Sequence, residues 1–318
     1  MTYSIVARDA GTGELGAAIQ SAAFAAGSGT LWVEAGVGAV ATQSFTDPSY
    51  GPLCLLALRT GATAAEALRG AARRDRMAPY RQVGVVAASG TAAAHTGAAC
   101  VAEAGHVHRT GVSCQANMMG RAEVWPAMLA AFRGASGTLA ERLMVALEAA
   151  QDEGGDWRGQ EAGRVLVCAG ETTGMPWRDV ICDVRVDNHP EPVAELRRLV
   201  TRSQALRAAW SPAPGASVAE AVAKARAAGL EEGHAVVAAL LAAVASGEVE
   251  EARALLDRAL AKEPRYLDLV RRLPDVAEML ELEPVLPRLE GWSRAAPVSR
   301  RGAGRAGSRG PRSGPGRR

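Results

Sequence analysis

The sequence predicts an α+β protein in which antiparallel sheets are covered by helices, followed by an all-helical unit and a basic tail. Two observations carry the first part. The β-rich runs come in groups rather than alternating one by one with helices, and pairs of helical segments separate those groups. A third carries the rest. After a proline-rich break at 211–215 the chain turns Ala- and Leu-rich, and after Glu290 it holds no acid but eight arginines.

Residues 3–8 (Tyr-Ser-Ile-Val-Ala-Arg) predict a strand, the Asp- and Gly-rich stretch 9–13 a turn, and 14–21 a returning strand, so a hairpin begins at Thr2. A second strand pair follows at 31–34 and 37–44, the latter built of residues small enough for close backbone approach. Helical periodicity covers 49–59 and 63–75, the second opened by Thr63 with Glu66 three residues on, a capping box. Strands return at 82–88, 92–96 and 107–114, helices at 121–133 and 138–152, strands at 163–169 and 180–186, and a helix at 190–209.

Composition narrows the function classes. With 318 residues, 48% hydrophobic and 22% charged, and no long apolar run, the chain predicts a soluble protein of about two domains with no membrane span. No basic-then-apolar leader is recognisable at its start. The five cysteines form no CxxC pair, which suits buried thiols in a reducing cytoplasm. Removing the tail's arginines leaves 28 basic against 34 acidic groups over residues 1–293, so the folded part is net acidic and nucleic acid is expected to meet only the tail. That tail, 291–318, is rich in Arg, Gly and Pro and predicts disorder.

Two short matches lead nowhere. Gly11, Gly13 and Gly16 satisfy GxGxxG, but Gly16 opens a strand where a dinucleotide site needs a helix. His106 and His108 share one side of a strand, with no Cys, Asp or Glu spaced to join them, so no metal and no cofactor are expected.

Thr2 is the leading catalytic candidate. Loss of the initiator Met would place a hydroxyl and a free α-amine on one residue. An amine with an unperturbed pKa of about 7.7 to 8.0 can take the hydroxyl proton near neutrality. Ser21 and Cys114 are rival nucleophiles, without a histidine at a motif spacing. Asp156, Arg158 and Gln160 after Gly154-Gly155 suit either a buried polar network or a site, Arg185 and Asp187 suit a salt bridge, and His95 suits a core histidine. Gln43, Gln115 and Asn117 neither titrate nor attack, but paired amides recognise an amide or carboxamide substrate.

The segments MTYSIVARDAGTGELGAAIQS, GVGAVATQSFTDPSYG, RQVGVV, AHTG, the pair Gln115 and Asn117, GGDWRGQ and RVDNHPEPVAELRRL together resemble the bacterial family called domain of unknown function 1028, from residue 2 to about residue 200. The resemblance implies an N-terminal-nucleophile-hydrolase-like fold, a four-layer αββα sandwich as in proteasome subunits. By comparison with such sites it implies Thr2 as nucleophile, Gln20 and Ser21 at the end of the second strand, and an oxyanion-binding backbone NH within Gly38 to Gln43. A turn near the terminal amine is implied at Gln115 to Asn117, with Asp156 in support. One element departs from the pattern: proteasome-type sites keep a lysine in the third strand, and this chain has none before Lys224. Arg158 could supply charge there, but an arginine does not exchange protons.

The expected organisation is an N-terminal domain at 1–209, a linker at 210–215, a helical tetratricopeptide-like domain at 216–290 and the tail at 291–318. In the helical part Gly247, Ala252, Leu256, Ala259 and Pro264 follow the second half of a tetratricopeptide repeat. One such unit cannot bury a solenoid core, so homo-oligomerisation or docking on the first domain is expected to cover it, and a protein partner is a further use for it. Two functions follow: a hydrolase acting on an amide bond of a small polar substrate, or a non-catalytic binding or scaffold protein of the same fold with a helical interaction module.

Overall fold

The computed structural model describes residues 2–210, 217–227, 229, 232–246 and 249–266. Most of the expected linker, residues 267–290 of the helical part and the whole Arg-rich tail lie outside the described residues. The described residues separate into two compact units, the first running to Ala208 and taking back 227 and 229, the second holding the rest from Ala209 to 266.

The first unit is mixed α/β with antiparallel sheets. It opens with β1 (Thr2–Arg8), β2 (Leu15–Ser21), β3 (Leu31–Glu34) and β4 (Gly38–Ser44), then α1 (Tyr50–Arg59) and α2 (Ala64–Ala72). It continues through β5 (Arg81–Ala87), β6 (Ala92–Thr96), β7 (Gly105–Arg109) and β8 (Val112–Asn117) to α3 (Val124–Gly134) and α4 (Leu139–Asp152). It closes with β9 (Ala162–Cys168), the short α5 (Pro176–Asp179), β10 (Val180–Val186) and α6 (Pro192–Trp210). Thr63 with Glu66 and Thr138 with Glu141 form complete capping boxes at the starts of α2 and α4.

Six strands pair in the order β10-β9-β2-β1-β8-β7 and four in the order β3-β4-β5-β6. The β1 strand is central, with β2 and β8 on its two sides. Alternation along it decides what each residue meets. Tyr3, Ile5 and Ala7 pack with Met128, Phe132, Leu143 and Leu147 of α3 and α4. Val6, on the other face, packs with Ala17, Ile19, Ala39, Ala41 and Val86, so the two sheets face each other. The outer face of the four-stranded sheet carries Val40, Val83 and Val85 against Tyr50, Cys54, Leu55 and Leu68 of α1 and α2. The first six residues of β1 are all buried because both faces are covered, which is why it reads as a continuous run.

The structure corrects one strand. The run expected at 107–114 is two strands, β7 and β8, folded back on each other and paired from Gly105↔Ala116 to Arg109↔Val112. Thr110 and Gly111 make the turn, with Gly111 at φ +76°, a conformation open to glycine. Gln115 to Asn117 therefore lie in a strand and not in a turn. Val112–Asn117 carries no glycine or proline, whereas the Thr-Gly pair supplies a glycine.

In the second unit α7 (Val218–Ala227), α8 (Glu232–Ser246) and α9 (Val249–Lys262) share a small core of Val218, Ala221, Val236, Ala239, Ala242, Leu255, Leu256 and Ala259. Among the described residues no helix is long and apolar enough to cross a membrane.

Candidate active site at the start of the central strand

Thr2 is the first residue of β1, and its register neighbours are Ser21 on β2 and Asn117 on β8. Even-numbered residues of β1 point toward the four-stranded sheet, which places Thr2 and Ser4 between the sheets. Thr2 is buried, and its Oγ1 donates to Ser21 Oγ at 3.0 Å. Its carbonyl oxygen accepts from Gln43 Nε2 at 3.1 Å and from Asn117 Nδ2 at 3.5 Å. Ser21 thus orients the hydroxyl while two amides fix the backbone that carries it.

Those amides belong to a chain of hydrogen bonds between the sheets. Ser4 Oγ donates to Gln43 Oε1 at 2.5 Å and accepts from Gln115 Nε2 at 2.7 Å, and Ser113 Oγ donates to Gln115 Oε1 at 2.8 Å. Gln82 is the hub. Its Oε1 accepts from Gln43 Nε2 at 2.7 Å and Asn117 Nδ2 at 2.8 Å, and its Nε2 donates to Ala116 O, Thr96 Oγ1 and Gly105 O at 2.8, 2.9 and 3.1 Å. Thr96 Oγ1 is also 2.8 Å from His106 Nδ1. A Cβ on Gly84 would come within 2.3 Å of Gln115 Oε1, so the glycine makes room for that side chain.

All four amides are buried, and Gln43, Gln115 and Asn117, expected to recognise an amide substrate, meet groups of the protein itself. Their N–H groups are spent on each other, on backbone carbonyls and on the Ser4 and Thr96 hydroxyls, because a polar side chain inside a core must be paired there. Asn117 Oδ1 is the exception, buried and without a hydrogen-bond partner.

Asp156 is also buried. Its Oδ2 accepts from Ala22 N and Arg158 NH2, each at 3.3 Å, and its Oδ1 from Arg158 N at 2.9 Å. That ties the 156–158 turn to the residue after Ser21. Gln160 is half-buried beyond it. Gly38 does not join the site: it lies at the opposite end of β4, about 17 Å along the strand from Gln43, where an added Cβ would strike Leu58 of α1. Gln20 does not join it either. Adjacent residues of a strand point to opposite faces, so Ser21 faces Thr2 while Gln20 lies on the helical side beside Tyr3, fully buried with both amide atoms unpaired. Tyr3 Oη donates to Gln151 Oε1 at 3.1 Å, and burial, aided by Asp156 and Asp152, pushes its phenol well above the usual value.

Cys114 packs against α3 and α4, away from Thr2, and burial pushes its thiol far up. Burial likewise raises Cys54 to about 12 and Cys168 and Cys182 to about 11. Cys100 is the half-buried thiol. A disulfide reagent at neutral pH is therefore expected to modify one thiol rapidly in the native protein, at Cys100, and all five after denaturation. Rapid native modification of Cys114 would contradict its placement. His95 Nε2 pairs with Ala78 O at 2.8 Å and Arg185 with Asp187 at 2.7 Å, both structural contacts.

Sequence reasoning passed over the rim. Phe24, Phe45 and Trp157 are 69%, 54% and 61% exposed, in segments that follow β2, follow β4 and precede β9 at the Thr2 end. Phe45 packs edge-to-face on Tyr80 at 5.7 Å. Two of three phenylalanines in the chain stand in solvent here, a signal that composition alone does not locate. Ala25 after β2, Ser44 at the last position of β4 and Met118 just after β8 adopt left-handed φ of 52°, 70° and 57°. Such residues cost about 1 to 3 kcal/mol each and gather where function requires them.

The family model described as a family of unknown function (DUF1028) matches residues 2–196. A solved structure of a DUF1028 protein from Silicibacter pomeroyi is similar at 29% identity and a TM-score of 0.58, covering 64% of this chain and 86% of that one. The Anbu protein (ancestral β-subunit) of Yersinia bercovieri aligns at 13% identity and a TM-score of 0.30, over 68% of this chain and 99% of that one. No curated protein matches the chain.

Proposed function

We propose that this chain, which belongs to the DUF1028 family of unknown function, is an N-terminal-nucleophile hydrolase that cleaves an amide bond of a small substrate. The observation that carries the reading is the buried Thr2 hydroxyl at the head of the central strand, oriented by Ser21 Oγ at 3.0 Å. Removal of residue 1 completes the nucleophile. Thr2 Oγ1 attacks the substrate carbonyl carbon and its proton passes to the α-amine. Collapse of the tetrahedral adduct breaks the C–N bond, and the ammonium returns the proton to the departing amine. Water then hydrolyses the Thr2 ester.

The surroundings support this division of labour. Asn117 Oδ1, opposite Thr2 in register and unpartnered, is available to accept a hydrogen bond from the new amine. Gln43 and Asn117 hold the Thr2 carbonyl, and so act as positioning groups. Asp156 and Arg158 supply charge near Ser21 where a proteasome-type site would use lysine. The α-amine is then the sole proton carrier, because guanidinium keeps its proton. The left-handed residues Ala25, Ser44 and Met118 and the exposed aromatic rim support a substrate face at this end.

A second reading, a non-catalytic binding or scaffold protein on the same αββα fold, draws on the internally paired amide network, since paired amides stabilise whether or not chemistry occurs. Intact-mass spectrometry before and after a β-lactone probe separates the two. The hydrolase reading expects a chain lacking residue 1 and one adduct, mapped to Thr2. A retained residue 1, or an adduct on Ser21, overturns it.

A further inference from the structure

The far end of β1 borders a concavity, about 20 Å from Thr2 at the usual rise of a strand. A cavity of about 470 Å³ opens between the β1–β2 turn, the β7–β8 turn and helices α3 and α4, and its walls include Arg8, Asp9, Arg109, Phe132, Arg133 and Arg142. Arg109, Arg133 and Arg142 and one carboxylate, Asp9, line it, with the backbone of Arg8 at its edge.

That carboxylate is already committed. Asp9 Oδ1 accepts from the backbone N–H groups of Gly11 at 2.9 Å and Thr12 at 2.8 Å, and Oδ2 accepts from Arg142 at 2.7 Å. Arg142 is also fixed from below, its guanidinium carbon 4.4 Å from the centre of the Phe132 ring. Setting Asp9 against Arg142 leaves two positive charges on the wall, the exposed Arg109 and Arg133. Among the described residues Arg109 and Arg133 have no carboxylate partner, and Arg109 turns one nitrogen to its neighbour's carbonyl, His108 O, at 2.8 Å.

We infer that this cavity binds a small ligand carrying two or more clustered negative charges, phosphoryl or carboxylate. Guanidinium forks pair with both groups bidentately, and uncompensated like charges around one concavity raise the local concentration of anions. The volume lies within the range of roughly 300 to 1,000 Å³ of small-molecule sites, and Phe132 and Arg142 give it a rigid floor. The inference is independent of the hydrolase reading.

Calorimetric titration of the full chain with inorganic pyrophosphate, and separately with citrate, tests it. One anion per chain is expected to bind, with affinity falling as salt rises. The exposed pair Arg109→Gln with Arg133→Gln is expected to weaken binding by about tenfold or more, with the unliganded melting temperature unchanged. Thr2→Ala is expected to bind as the parent does. Preference for pyrophosphate or for citrate assigns the ligand as phosphoryl or carboxylate. Binding of neither anion, binding indifferent to the double substitution, or binding of a single-stranded oligonucleotide where neither small anion binds would overturn the assignment.

Discussion

Thr2→Ala is expected to abolish labelling by a β-lactone and to lower amide hydrolysis by about 10³-fold or more, the usual scale for losing a nucleophile. Alanine, like threonine, is small enough for a preceding methionine to be removed, so the α-amine is still generated while the hydroxyl and its neighbouring methyl are lost. Thr2→Ser keeps a hydroxyl within reach of Ser21 Oγ and is expected to retain both the adduct and measurable turnover. The comparison is made by intact mass and by rates on a panel of small amides. Unchanged labelling of Thr2→Ala would remove Thr2 from the chemistry, and a silent Thr2→Ser beside a reactive parent would mean that the threonine methyl sets the hydroxyl's rotamer.

Gln82→Leu is expected to destabilise the first unit by about 3 kcal/mol or more, because a single side chain leaves several buried partners unpaired at about 1 to 3 kcal/mol each. Leucine fills similar space but neither accepts from Gln43 and Asn117 nor donates to Gly105 O and Ala116 O. Urea unfolding followed by circular dichroism measures the loss, with Gln160→Leu, at a half-buried loop position, expected within about 0.5 kcal/mol of the parent. The same substitution is expected to slow acylation at Thr2 in whatever fraction remains folded, since Gln43 and Asn117 then lose the partner that aims them at the Thr2 carbonyl. A Gln82→Leu protein as stable as the parent would mean that the amides pair with alternative groups.

Much of the fold was legible because its signals are local. The hairpin starting at Thr2, the capping box of Thr63 and Glu66, and the grouping of strands around helix pairs all follow from neighbours a few residues apart. The Thr110-Gly111 turn was equally local but hidden inside an extended-looking run, and missing it put Gln115 and Asn117 in a turn. Gln20 and Ser21 illustrate a different limit, since family comparison treats them as a pair while strand alternation sends them to opposite faces. Gly38 was placed with Gln43 by sharing a small-residue strand, although a seven-residue strand is too long to bring both ends to one point.

The sequence by itself determined which residues are available for chemistry: a threonine at position 2, no lysine before Lys224, buried thiols and an amide-rich set of strands. Tertiary structure alone decided what those residues do to one another. Ser4 meets Gln115 and Thr2 meets Ser21 and Asn117 because strands distant in the chain are registered side by side. Gln43 and Gln82 reach them from the facing sheet. The reason is physical: a polar side chain's role is set by the partner that replaces its water, and in a two-sheet core that partner comes from far along the chain.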